Sequence, residues 1–208
     1  MSEHKLNMNN KDTLVNKFEK AGLVTVLIIW ILRGAVGPAF NFALLITTTL
    51  LAIYYLWFGF FVFNKMQPLD LLYQKHHRAI SRFHIAAGIL MGIVLSYSLI
   101  AILFGFHFFP GMKTALISGG IILLFFTIFI AAYHSVKKRH QEICKRFYSR
   151  AAIIGFVLAL LLFSPVDMRL SILFKDHPEF QEAYLEYLEN PEDDKSIERL
   201  REERSKFR

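Results

Sequence analysis

Long apolar runs alternate with short polar stretches along most of this chain. A helix that crosses a bilayer needs about 20 consecutive, mostly apolar residues. Runs of this length predict transmembrane helices at 39–63, 83–109, 114–133 and 147–166, with no Asp, Glu, Lys or Arg in their interiors. Pro38, Pro110 and Pro165 lie at ends of these runs, where a helix is expected to turn or stop.

An earlier apolar run, 21–32, is too short to cross a bilayer alone. Its 12 residues rise about 18 Å as a helix, against about 30 Å of hydrocarbon. In one interpretation a helix over 14–36 spans the membrane, with Lys20 and Arg33 extending to opposite surfaces. In the other, the segment lies in the interface. We favour the spanning helix because a turn with Gly and Pro follows at 34–38, and we predict five transmembrane helices in all.

The C-terminal tail has a different character. Residues 171–208 contain 11 acids and 7 bases, and Pro178 and Pro191 each mark a helix start. An apolar face recurs at three- and four-residue spacing through Phe180, Ala183, Tyr184, Tyr187 and Leu188. We predict a membrane bundle over 1–170 and a helical hairpin in the tail. The hairpin is too small to bury a core of its own, so it should pack on the membrane surface or on another protein.

The basic residues orient the chain. The stretch 134–150 holds six Lys and Arg and one acid between two membrane-length runs. Together with the N-terminal tail and the connection 64–82, it gives one side of the membrane 14 basic residues against 3 on the other. This asymmetry places the N-terminus and these loops in the cytoplasm and the C-terminus outside. The chain resembles small polytopic inner-membrane proteins of bacteria, and we expect a bacterial inner-membrane location.

Small residues recur every four positions in two of the predicted helices, where they would let helix backbones approach closely. These packing stripes are Gly88, Gly92 and Ser96 in one helix and Ala151, Gly155 and Ala159 in another. Gly59, by contrast, lies in an aromatic run, 54–63, that we expect to face lipid.

Histidines are the main chemical candidates. His84 lies on the Gly88 stripe and His134 ends a predicted helix, so both could ligate haem near the cytoplasmic face. His76, His77 and His140 are close to them in the sequence, but their spacing matches no metal or haem motif. We therefore expect no cofactor. The single cysteine, Cys144, excludes a disulfide within the chain.

The sequence favours a non-enzymatic membrane protein that acts as an anchor or assembly subunit. Its expected partners are the lipid bilayer and a protein bound through 176–208. The net charge of +7 does not indicate nucleic-acid binding, because the basic residues cluster at the ends of apolar runs. Two alternatives stay open: a haem-binding or redox subunit that uses His84 and His134, and a small transporter component. The transporter is disfavoured by the lack of charged residues inside the predicted helices.

Overall fold

The computed structural model describes residues 14–36, 41–64, 82–136 and 141–206. These residues form eight α-helices and no strand, so the all-α fold class is confirmed for them. The helices are α1 Leu14–Val36, α2 Asn41–Asn64, α3 Arg82–His107, α4 Met112–Val136, α5 Gln141–Phe163, α6 Val166–Leu173, α7 Pro178–Glu189 and α8 Asp194–Ser205.

Four of these helices, α2 to α5, are long and apolar enough to cross a membrane. The prediction of five is wrong by this measure, and α1 is the helix that does not qualify. Its bounds agree with the predicted 14–36, but Lys17, Glu19, Lys20 and Arg33 reduce its uncharged part to residues 21–32. Composition alone therefore does not make α1 a transmembrane helix.

The fifth predicted helix begins six residues earlier than expected, at Gln141 instead of 147. The buried side chains explain the difference, because they recur every three or four residues from the start of the helix. They are Ile143, Cys144, Phe147, Ala151, Ile154, Leu158 and Leu161. Arg146 and Arg150 therefore lie on α5. The prediction that the long helices contain no charged residue in their interiors is wrong at Arg150.

The described chain divides into two compact units. The first comprises Met1–Val26 and Ile46–Leu162, and the second comprises Leu27–Leu45 and Phe163–Arg208. In the first unit, α3 and α4 form an antiparallel pair joined by a tight turn. Phe108 and Gly111 in that turn have positive φ angles of 51° and 79°. The chain thus reverses within four residues, with Phe108 buried as an anchor.

Helices α2 and α3 approach each other through glycine. A Cβ added at Gly59 would lie 2.6 Å from the Cα of Gly92 and 3.1 Å from the carbonyl oxygen of Gly88. Only a residue without a side chain fits such a backbone contact. Gly59 is buried in it, so the expectation that Gly59 faces lipid is wrong.

The second unit contains α6, α7 and α8. Helix α6 was not predicted, and the predicted division at residue 170 falls within it. Phe174 packs against Phe180 with tilted rings whose centroids are 4.5 Å apart, and Leu200 of α8 is buried in the same unit. Phe180, Ala183 and Tyr184 are also buried. Three of the five residues on the tail's apolar face are therefore buried, in packing that includes Phe174. The expectation that the tail is too small to bury a core of its own stays a prediction.

Candidate functional site

Glu19 is an acidic side chain that the fold buries completely. Helix α1 packs antiparallel to α2 over its first turns, because Val15 contacts Tyr54 and Gly22 lies against Leu51. On this face of α1, Val15, Glu19 and Val26 are buried. A carboxylate at such a position needs charged and hydrogen-bonding partners, since burial of an unpaired charge is strongly unfavourable.

Two other helices supply these partners. Arg150 of α5 donates from Nε and Nη2 to the two carboxylate oxygens of Glu19. Tyr55 of α2 donates its hydroxyl to Oε1 of Glu19 at 2.6 Å. The side chain of Glu19 is 0% exposed and that of Arg150 is 14% exposed. We call these three residues, Glu19, Tyr55 and Arg150, the Glu19 cluster.

Arg150 is itself held by the end of α2 and by its own helix. Its Nη1 donates to the carbonyl oxygen of Arg146 at 2.7 Å, and its guanidinium lies 5.3 Å from the ring centroid of Phe63. Arg146 donates from Nη1 to the carbonyl oxygen of Phe63 at 2.7 Å. A cation at this carbonyl-rich end of α2 is also favoured by the helix dipole. Two arginines one turn apart on α5 thus bind α1 and α2 together.

The geometry of the Glu19 cluster suits a structural role. Every nitrogen of the Arg150 guanidinium donates a hydrogen bond, and the Glu19 carboxylate accepts three. Removing one member of such a pair costs about 3–5 kcal/mol, because the other charge is then buried alone. The cluster therefore makes the packing of α1 conditional on α5.

The two histidines predicted as haem ligands lie at the same level of the α3–α4 pair. The two helices are antiparallel, with Tyr97 and Ser118 hydrogen-bonded at 2.9 Å, so residues 84 and 134 lie near the same end of the pair. The side chain of His84 lies outside the described residues. The ring of His134 packs edge-on against Tyr148 of α5, and its Nε2 has no hydrogen-bond partner among the described residues.

The structure does not show a shared ligand site for these histidines. The stripe that includes Gly88 and Gly92 faces α2, whereas His134 contacts α5. His76, His77 and His140 lie outside the described residues. Within the described ranges, no group of three or more His, Cys, Asp or Glu residues is arranged to hold a metal ion.

The predicted packing stripes lie in helix contacts to different degrees. Gly88 and Gly92 contact α2, and Ser96 is buried on the same helix. On α5, Ala151 is buried and Ala159 is half-buried. A Cβ at Gly155 would make an ordinary 3.5 Å contact with Leu123 of α4. Close backbone approach is thus a property of the first stripe.

Comparison with protein families, with curated proteins and with solved structures finds no match to this chain.

Proposed function

We propose that this protein is a non-enzymatic membrane anchor that binds a partner protein through its C-terminal hairpin, α7 and α8. The observation that carries the proposal is the charged surface of the hairpin. This surface belongs to a chain whose other helices include four of membrane length. An amphipathic segment that binds lipid would instead leave a broad apolar face exposed.

The charges on the hairpin are arranged as pairs between its two helices. Arg199 of α8 bonds to Glu186 and lies 3.5 Å from Glu182, both on α7. Lys206 lies 3.4 Å from Glu179 of α7. Exposed pairs of this kind add little stability, typically less than about 1 kcal/mol each. Their regular pattern favours a role in partner recognition, where charge complementarity gives specificity.

The remainder of the chain supports an anchoring role over a chemical one. Glu19 and Arg150 are used to join helices: each guanidinium nitrogen donates a hydrogen bond within the protein, and the carboxylate accepts three there. Transporters usually keep ionisable groups accessible to a water-filled pathway. The Glu19 cluster, whose charged groups are paired with each other, favours a fixed bundle.

The hairpin is expected on the external side of a bacterial inner membrane. If α2 to α5 each cross the bilayer, the connections 65–81 and 137–140 lie on one side and the hairpin on the other. The basic residues of those connections and their flanking turns favour the cytoplasm for the first side. The Glu19 cluster joins the first turns of α1 to the first half of α5, which supports an N-terminus on the cytoplasmic side.

The test is a change of the hairpin's surface charge that preserves its internal pairing. The triple variant Glu182→Arg, Glu186→Arg and Arg199→Glu reverses the sign of each charge, so the attraction between α7 and α8 is retained. We expect this variant to lose proteins that crosslink to and co-purify with the wild-type protein, while its expression and helicity stay unchanged.

The matched control is Arg201→Glu, a charge reversal at an exposed position of α8 that forms no ion pair with α7 among the described residues. This control should recover the same proteins as the wild type. Recovery of the same proteins by the triple variant would contradict the proposal.

A haem-binding subunit is the second candidate function. It is favoured by the buried Nε2 of His134, which lacks a hydrogen-bond partner among the described residues. The absorption spectrum of the purified protein tests it. A haem band that disappears in His134→Ala would replace the anchor proposal with a redox one.

A further inference from the structure

The composition of α1 is not apolar enough to hold it beside the membrane-length helix α2. Lys17 and Lys20 are exposed and can extend towards water. Glu19 lies between them in the sequence, but its side chain is fully enclosed. The side chain of Glu19 is too short to reach water from this position. Its negative charge must therefore be compensated by a group inside the protein.

The positive charge that compensates Glu19 belongs to a residue distant in the sequence. Arg150 follows Glu19 by 131 residues and belongs to the last long helix. Before α5 is in place, Tyr55 offers only one neutral hydrogen bond to the carboxylate. An unpaired charge in a bilayer is unfavourable by at least a few kcal/mol. Helix α1 alone would therefore tend to leave its position beside α2.

We propose that α1 is a conditional helix: because Glu19 is charged, α1 stays against α2 only once α5 has inserted and the charge of Arg150 compensates that carboxylate. Helices α2 to α5 are apolar enough to insert without this pair. During synthesis, α1 is made first but takes its final position last. The inference does not depend on what the hairpin binds.

The experiment measures the exposure of α1 in the full-length protein in membrane vesicles. Cys144→Ala removes the native thiol, and Val15→Cys places a reporter at a position of α1 that is 7% exposed. A water-soluble maleimide labels this cysteine only when α1 leaves α2. Phe18→Cys, at a position 65% exposed, is the positive control, and Leu99→Cys in α3, 1% exposed, reports on unfolding of the bundle.

Three variants distinguish a charge effect from simple loss of a contact. Arg150→Leu leaves Glu19 unpaired and should speed labelling at residue 15 by at least about tenfold, with residue 99 still protected. Arg150→Lys keeps the charge and should label much more slowly than the leucine variant. The double variant Glu19→Leu with Arg150→Leu removes both charges and should restore protection to near the wild-type level.

The double variant decides the matter even if Arg150→Leu disturbs the whole bundle. Restored protection at residues 15 and 99 supports the proposal. If the double variant is labelled as fast as Arg150→Leu, the proposal is overturned. The packing contacts of the arginine side chain, and not its charge, would then hold α1 in place. Wild-type protection in Arg150→Leu would overturn it as well.

Discussion

At the scale of single residues, Tyr184 is a polar side chain buried in the second unit. Its ring packs between Phe180 and Tyr187, with centroid distances of 6.1 Å to each. Burial raises the pKa of Tyr184 to about 12, Arg204 and Arg169 act in the opposite direction, and Tyr187 adds to the rise. The hydroxyl therefore stays protonated well above the ordinary tyrosine pKa of about 10.

This shift predicts a measurable alkaline titration. The difference in tyrosinate absorbance between the wild-type protein and Tyr184→Phe isolates one residue, and its midpoint should lie near pH 12. Because the folded pKa exceeds the unfolded one, the stability of the hairpin is full below pH about 10 and declines as pH rises to about 12, by at most about 3 kcal/mol. A midpoint near pH 10 would show that Tyr184 is accessible to solvent.

The residues of the Glu19 cluster were not predicted, and the reason is specific. In the sequence, Arg150 counts among the six basic residues of the stretch 134–150, because positive charges normally mark loop ends. The signal that could have found it was present in the sequence, since Ile143, Phe147 and Ala151 continue the helical spacing of α5 towards its start. That Arg150 pairs with Glu19 could not be predicted, because the pairing depends on how α1 and α5 pack.

At the scale of helices, the crossing of α2 and α3 depends on the absence of side chains. A Cβ at Gly92 would lie 3.0 Å from the Cα of Gly59 and still closer to the carbonyl oxygen of Tyr55. A Cβ at Gly120 of α4 would meet nothing within 4 Å. The same substitution should therefore have opposite effects at these two positions.

We predict that Gly92→Ala lowers the melting temperature of the purified protein, because two backbones must separate, at a cost of about 1–3 kcal/mol. Gly120→Ala should leave the melting temperature unchanged or raise it, since alanine is favoured over glycine within a helix by up to about 1 kcal/mol. Equal effects of the two substitutions would mean that the crossing tolerates a wider separation.

Helix bounds were predicted well where an apolar run ends at a turn signal. For α3 and α4, Pro110 and Gly111 indicated the turn, and the observed helices end and begin within two residues of the predicted limits. Helix α6 was missed because its eight residues follow Pro165 directly and mix charged with apolar side chains. Short amphipathic helices after a proline resemble loops in sequence.

At the scale of the whole molecule, charge asymmetry and the Glu19 cluster constrain the orientation independently. The predicted asymmetry is 14 basic residues against 3. The cluster adds a requirement, because Glu19 and Arg150 must lie at the same depth. Both features favour the same side for the N-terminus and for the connection that precedes α5.

Reporter fusions test this orientation. A reporter that is active in the cytoplasm should be active when fused after residue 70 or after residue 138, and inactive after residue 111 or at residue 208, since an odd number of crossings separates these two pairs of sites. Arg150→Leu should leave all four results unchanged, because α2 to α5 insert by their own apolar character. A cytoplasmic reporter at residue 208, with the other three as expected, would mean that α5 re-enters the membrane and does not cross it. The hairpin would then face cytoplasmic partners, and the anchor would act on the opposite side of the membrane.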